Sequence, residues 1–136
     1  MENLQVRSNI TFLYYQDLEA AARFYSQVMK FDLVVDQGWA KIYAMHGNAF
    51  LGIVSGDRGF HQAQDDNAVL ITLVVDDVKG WYDHLKEQNV AELSEFKEVP
   101  DIQIQGFFFK DPGGYALEIQ KFLEPETART FYQTVP

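Results

Sequence analysis

Two stretches of the chain carry apolar residues in the same pattern. Ile10-Thr11-Phe12-Leu13-Tyr14-Tyr15-Gln16-Asp17-Leu18 and Leu70-Ile71-Thr72-Leu73-Val74-Val75-Asp76-Asp77-Val78 are runs of branched and aromatic residues, 60 residues apart, each closing on aspartate. Such residues fit a pleated, half-buried surface, so each run predicts a strand. The spacing then changes to that of a helix. Leu18, Ala21, Tyr25 and Val28 recur at i, i+3, i+7 and i+10, and Val78, Trp81 and Leu85 at i, i+3 and i+7. The aspartates stand where a helix N-cap is wanted, and Asn89 suits the left-handed stop of the second helix.

The ends of the two stretches also match. Gly47-Asn48-Ala49-Phe50-Leu51-Gly52-Ile53-Val54 aligns with Gly113-Gly114-Tyr115-Ala116-Leu117-Glu118-Ile119-Gln120 at an offset of 66 residues, so the second half is six residues longer. Between helix and last strand each half has room for two more strands, roughly 32–37 and 39–45, then 91–99 and 102–110. Each half reads strand, helix, strand, strand, strand. No linker rich in Pro, Gly or Ser divides the chain. The polar residues 55–67 join the halves. The expected fold is α+β: a single domain over 1–123 made of two βαβββ modules, about 5–60 and 66–123, followed by a C-terminal tail at 124–136. One helix covers one face of a four-stranded sheet and leaves the other open. Two curved mixed sheets, helices outside, are therefore expected to close a cleft, within one chain or across a dimer, where a ligand would sit.

Composition narrows the classes. The chain has 136 residues, 47% of them apolar and 15% aromatic, a net charge of −9 and no cysteine. Thiolate metal sites and disulfides are excluded, and a reducing, cytoplasmic setting is expected. The acidic balance argues against nucleic acid, and no apolar run approaches a membrane span. The first residues, MENLQVRSN, hold no apolar signal core. Phosphate-loop, G-x-S-x-G and H-E-x-x-H patterns are absent.

Three segments, DLEAAARFY (17–25), DDVKGWYDHL (76–85) and DPGGYALEI (111–119), stand in an order that resembles the vicinal oxygen chelate superfamily of glyoxalases, extradiol dioxygenases, and fosfomycin- and bleomycin-resistance proteins. The resemblance covers residues 8 to about 122. It implies metal ligands, usually His, Glu or Gln, at four equivalent positions, here Ile10, Gly52, Leu70 and Glu118. Of these only Glu118 can hold a cation, and one carboxylate is too few for a divalent metal site. No metal or other cofactor is expected. His46, His61 and His84 fall in a turn, the joining loop and the second helix. His61 is the one able to swing over the cleft.

Strand alternation sets which residues would meet a ligand. If Ile10 and Leu70 face the cleft, so do Phe12, Tyr14 and Thr72. With Glu118 go Gln120 and, by the repeat, Phe50. Trp39, Tyr43, Phe107 and Phe109 are further candidates. Glu118 is then either a semi-buried carboxylate satisfied by its neighbours or a lone acid on the floor of an aromatic pocket. In the second case it pairs with a cationic or hydrogen-bonding ligand, or is the one catalytic candidate. The leading expectation is a homodimeric small-molecule binding protein for an aromatic or amphipathic, uncharged or cationic ligand. A lyase, isomerase or dioxygenase with an atypical metal site or metal-free catalysis by Glu118, and a regulatory module with a vestigial pocket, stay open.

Overall fold

The computed structural model describes residues 4–132. It comprises β1 (Asn9–Tyr15), α1 (Leu18–Arg23), β2 (Asp32–Asp36), β3 (Ala40–His46), β4 (Ala49–Ser55), β5 (Leu70–Val74), α2 (Val78–Glu87), β6 (Lys97–Val99), β7 (Ile104–Lys110), β8 (Ala116–Phe122) and α3 (Pro125–Phe131). The chain divides into two compact units, with the boundary between Asp65 and Asp66. Each contains an unclosed four-stranded mixed sheet, ordered β1-β4-β3-β2 in the first and β5-β8-β7-β6 in the second. In both, the first and last strands run parallel and the rest antiparallel. No helix among the described residues is long and apolar enough to cross a membrane.

The same local devices start both helices. The Asp17 carboxylate accepts the backbone N–H of Ala20 at 3.0 Å, and Asp77 that of Gly80 at 2.9 Å, each satisfying a donor that a helix start leaves unpaired. In the first unit α1 runs on as a π-helical segment, Phe24–Val28, so its last turn is wider than α-helical spacing predicts. Lys30 and Asn89 take left-handed backbone after the two helices, as expected of Asn89.

Each helix covers one sheet face, and the core lies beneath it. Leu13, Tyr15, Leu51 and Ile53 are buried in the first unit, Leu117 and Ile119 in the second. The hairpins fold about a glycine. Ala44 and Phe50 pair equally far from Gly47, and Lys110 and Ala116 equally far from Gly113. In the second, Asp111 is only 3% exposed. Its carboxylate accepts from the N–H groups of Gly113 and Tyr115, and Gly114 takes a φ of 86° that a side chain would strain.

One expectation changes. Residues 91–96 are not strand but a bulge carrying one isolated bridge, Ala91 to Lys110. Glu92 turns to positive φ, and Ser94 holds Phe108 twice, its N–H donating to the Phe108 carbonyl and its hydroxyl accepting the Phe108 N–H, both at 2.8 Å. The tail carries α3, about two turns, as one or two helical turns were expected there. Glu124 caps α3 by accepting from the N–H groups of Glu126 and Thr127, Phe131 stacks on Phe122 with centroids 4.4 Å apart, and the Tyr132 hydroxyl donates to the carbonyl of Val75 at 2.7 Å. Residues 133–136 of the expected tail lie outside the described residues.

Candidate functional site

The face of the second sheet away from α2 carries Leu70, Thr72, Ala116, Glu118 and Gln120 from its two parallel strands, with Phe108, Gly106 and Ile104 beside them on β7, and α3 stacks on Phe122 at one end. Thr72 and Glu118 are direct partners, and the threonine hydroxyl donates to Glu118 Oε1 at 2.7 Å. Glu118 is 8% exposed. It borders a depression of about 260 Å³ lined also by Ser94, Glu95, Lys97, Val99, Ile104, Gly106, Phe107 and Phe108. The 92–96 bulge forms one wall. Gly106 lies on the floor, where an added Cβ would come within 2.3 Å of the Ile119 carbonyl oxygen.

The helix-free face of the first sheet groups Ile10, Phe12, Tyr14, Phe50 and Gly52. Here Phe12 and Gly52 are the direct partners, in the place that Thr72 and Glu118 hold in the second. The ring of Phe12 lies on the glycine. A Cβ at residue 52 would meet Phe12 Cδ1 at 2.2 Å and Cε1 at 2.4 Å. The joining loop crosses the Tyr14 end of this face, with His61 edge-on to the tyrosine at 5.3 Å. A larger depression in this unit, about 410 Å³, is lined by Gln16, Ser55, Asp57 and Gln62, and none of the sequence-chosen site residues borders it.

Three expected ligand-facing aromatics point the other way. Tyr43 is 1% exposed and pairs with Leu51, and its hydroxyl donates to the carbonyl of Ala22 in α1. Phe107 and Phe109 are likewise 1% exposed, and Tyr82 of α2 meets Phe107 edge-on at 5.0 Å. These three are core, although Phe107 also borders the Glu118 depression. Trp39 keeps one face under the Arg58 guanidinium, 5.3 Å from its ring. The aromatic missed was Phe108, which is 47% exposed and pairs with Glu118. Folding the DPGG hairpin symmetrically about Gly113 would have found it, because that register alone sets 108 opposite 118. Nothing in the sequence marks the bulge that brings in Ser94, Glu95 and Lys97.

A divalent metal does not fit the equivalent positions. Ile10, Gly52 and Leu70 offer no side-chain donor, the Phe12 ring fills the space above Gly52, and the second unit contributes one carboxylate already bonded to Thr72. Among the described residues no three His, Cys, Asp or Glu side chains gather where they could hold an ion. Chemically, the arrangement offers an anionic hydrogen-bond acceptor beside an exposed aromatic ring.

A family model described as Glyoxalase/Bleomycin resistance protein/Dioxygenase superfamily matches residues 7–119. Solved structures share the fold at low identity. TnmS3, an antibiotic binding protein from Streptomyces sp. CB03234, is 22% identical with a TM-score of 0.70, over 86% of this chain and 96% of that one. The fosfomycin resistance protein FosX from Listeria monocytogenes is 14% identical with a TM-score of 0.73, over 90% and 98%. A lactoylglutathione lyase from Agrobacterium tumefaciens is 19% identical with a TM-score of 0.70, over 88% and 95%. A search of curated proteins found no significant match.

Proposed function

The chain belongs to the Glyoxalase/Bleomycin resistance protein/Dioxygenase superfamily, and from that premise we propose that it is a metal-independent small-molecule binding protein. Its ligand is aromatic or amphipathic, uncharged or cationic, and lies against Glu118 and Phe108. The observation that carries this reading is the pair of side chains at the family's ligand position. In one unit a phenylalanine ring plugs the place. In the other a carboxylate held by Thr72 borders a depression with an apolar rim. A buried carboxylate beside an exposed ring recognises a hydrogen-bond donor or cation on a flat apolar body. The likeness to TnmS3 and FosX supports binding of an antibiotic-like molecule, and the low identity leaves the compound unnamed. Half-exposed Ile10, Phe12, Leu70 and Phe108 support work as a homodimer that covers them.

A thermal-shift screen of aromatic and amphipathic amines tests this, run with and without added Zn²⁺, Mn²⁺ and Fe²⁺, on protein also examined by elemental analysis and sedimentation. Stabilisation by a ligand without metal is expected, lost or weakened at least tenfold in Glu118→Gln. Tightly held metal at about one ion per chain, with ligand binding only in its presence, would overturn the reading in favour of a metal-dependent lyase or dioxygenase.

A further inference from the structure

The distribution of charge around the depression goes further than an acid alone would. We propose that its ligand is a small zwitterion with an apolar body, cationic end at Glu118 and anionic end at Lys97. The inference rests on the reading of this depression as the ligand site. Three observations on different strands carry it.

The first is the free side of Glu118. Thr72 occupies Oε1. Oε2 has no partner among the described residues, and no enclosed side-chain oxygen there lacks one, so Oε2 keeps an open side. Because the residue borders the depression, that oxygen can accept from a ligand amine. The second is Lys97, which lines the same depression from β6. Lys41, Lys79 and Lys110 each bridge to a carboxylate, while Lys97 makes no ion pair among the described residues. The third is Gly106, which pairs with Lys97 on one side and Gln120 on the other. Because a side chain there would strike the Ile119 carbonyl, the floor between acid and lysine stays unfilled.

Spacing and size narrow the ligand. Glu118 and Lys97 stand two strands apart and two residues out of line, which puts their Cα atoms roughly 12 Å apart. Side chains reaching inward shorten that to roughly 5–8 Å between charges, the span of a dipeptide and more than that of one amino acid. The volume of about 260 Å³ lies just under the usual range for drug-sized ligands. Phe108, Val99 and Ile104 supply the apolar contact. Glu95 adds a second acid, so an anion alone is disfavoured and a cation alone is tolerated. The expected order of affinity is zwitterion, then cation, then anion.

Phenylalanylglycine, its C-terminal amide and its N-acetyl derivative share one body and differ at their ends, and their dissociation constants can be read by protein-observed NMR at neutral pH and low salt. The zwitterion should bind about three- to fivefold tighter than the amide, the size that a solvent-exposed ion pair supplies. The acetylated form should bind weakest. In Lys97→Gln, an exposed position on a three-residue edge strand, the gap between zwitterion and amide should close. Equal binding of zwitterion and amide by the wild type, or an unchanged gap in a folded Lys97→Gln, overturns the proposal. If none of the three binds while a screened uncharged or singly cationic amphiphile does, and that binding falls in Glu118→Gln, the zwitterion fails and the ligand site stands. If no screened compound's binding depends on Glu118, both fail.

Discussion

The two units answer one structural question in opposite ways. On one face of each sheet, one residue of the first strand stands directly across from one of the last. In the first unit these are Phe12 and Gly52, and in the second Thr72 and Glu118. Strand order, parallel pairing and the preceding helix cap are the same. The backbone is therefore indifferent to the pair, and the choice rests on mutual fit. A large flat ring needs a partner without a side chain, and a carboxylate needs a donor. One pair has become packing while the other keeps polar chemistry, so a duplicated frame can hold a site in one copy only.

Transplanting the pair is the strongest way to break this comparison. Gly52→Glu forces a side chain into the Phe12 ring and a charge onto an apolar face, with an expected loss of about 3 kcal/mol or more. Phe12→Thr alone should cost about 1–2 kcal/mol, because the ring is already half-exposed. The double change recreates the second unit's pair and should do better than the sum of the singles by at least about 1 kcal/mol. Urea unfolding midpoints read all three. Strict additivity would mean that the two positions match in backbone and not in environment.

The reverse transplant should have a smaller effect. Thr72→Val removes the donor from a nearly buried carboxylate and should cost about 1 kcal/mol, whereas Thr72→Val with Glu118→Leu replaces both partners by apolar groups and should return close to wild-type stability. Ligand binding should be lost in the double variant. A double variant less stable than Thr72→Val alone would show that Glu118 supports the fold through more than this one bond.

The smallest expected effect separates the units by pH. The Asp36 carboxyl of the first unit is held below its ordinary range by the hydrogen bond from Lys41 and then by Gly38 N–H, and Glu124 of the second by the N–H groups of Thr127 and Glu126. Lowered carboxyls contribute stability that is present above their ordinary values and lost as pH falls through the folded ones, so acid loosens both turns. The Tyr132 phenol is pushed up, first by burial and then by the charge of Asp76. Its contribution is full below the ordinary tyrosine value of about 10 and lost as pH rises through the folded one. Alkali should therefore loosen the end of α3. A tyrosinate absorbance titration should lose one step above about pH 10 in Tyr132→Phe, and an unchanged titration would contradict this.

How much of this was legible in the sequence follows from what alternation and repetition can encode. The repeat of branched runs and the capping aspartates revealed strand order and helix starts, because both are local. Residues 10, 12, 50 and 52 share a face of the first sheet, and 72 and 118 one of the second, as alternation implies, because parity within a strand has period two. The reading failed where parity had to be carried between strands. Aromatic character alone points to Tyr43, Phe107 and Phe109, but only the hairpin register decides that Ile42 stands across from Gly52 and Phe108 across from Glu118 while their neighbours face the helices. The bulge at 92–96 and the packing of α3 on Phe122 were not legible, since a positive φ at Glu92 and a ring stack across the sheet leave no periodic trace.

The position of β4 and β8 in their sheets has a consequence for synthesis. Each is the last strand of its unit to be made and is hydrogen-bonded on both sides, β4 between β1 and β3, β8 between β5 and β7. No sheet can therefore assemble in the order in which it leaves the ribosome. Until Ala49–Ser55 emerges, β1 has no neighbour and only the β2–β3 hairpin can form, and β5 waits likewise for Ala116–Phe122. Non-local parallel pairing of this kind closes slowly. The nascent chain thus carries an unpaired, apolar first strand through most of each unit's translation, twice in succession, and a stall just before residue 49 or 116 is where it would be most prone to aggregate.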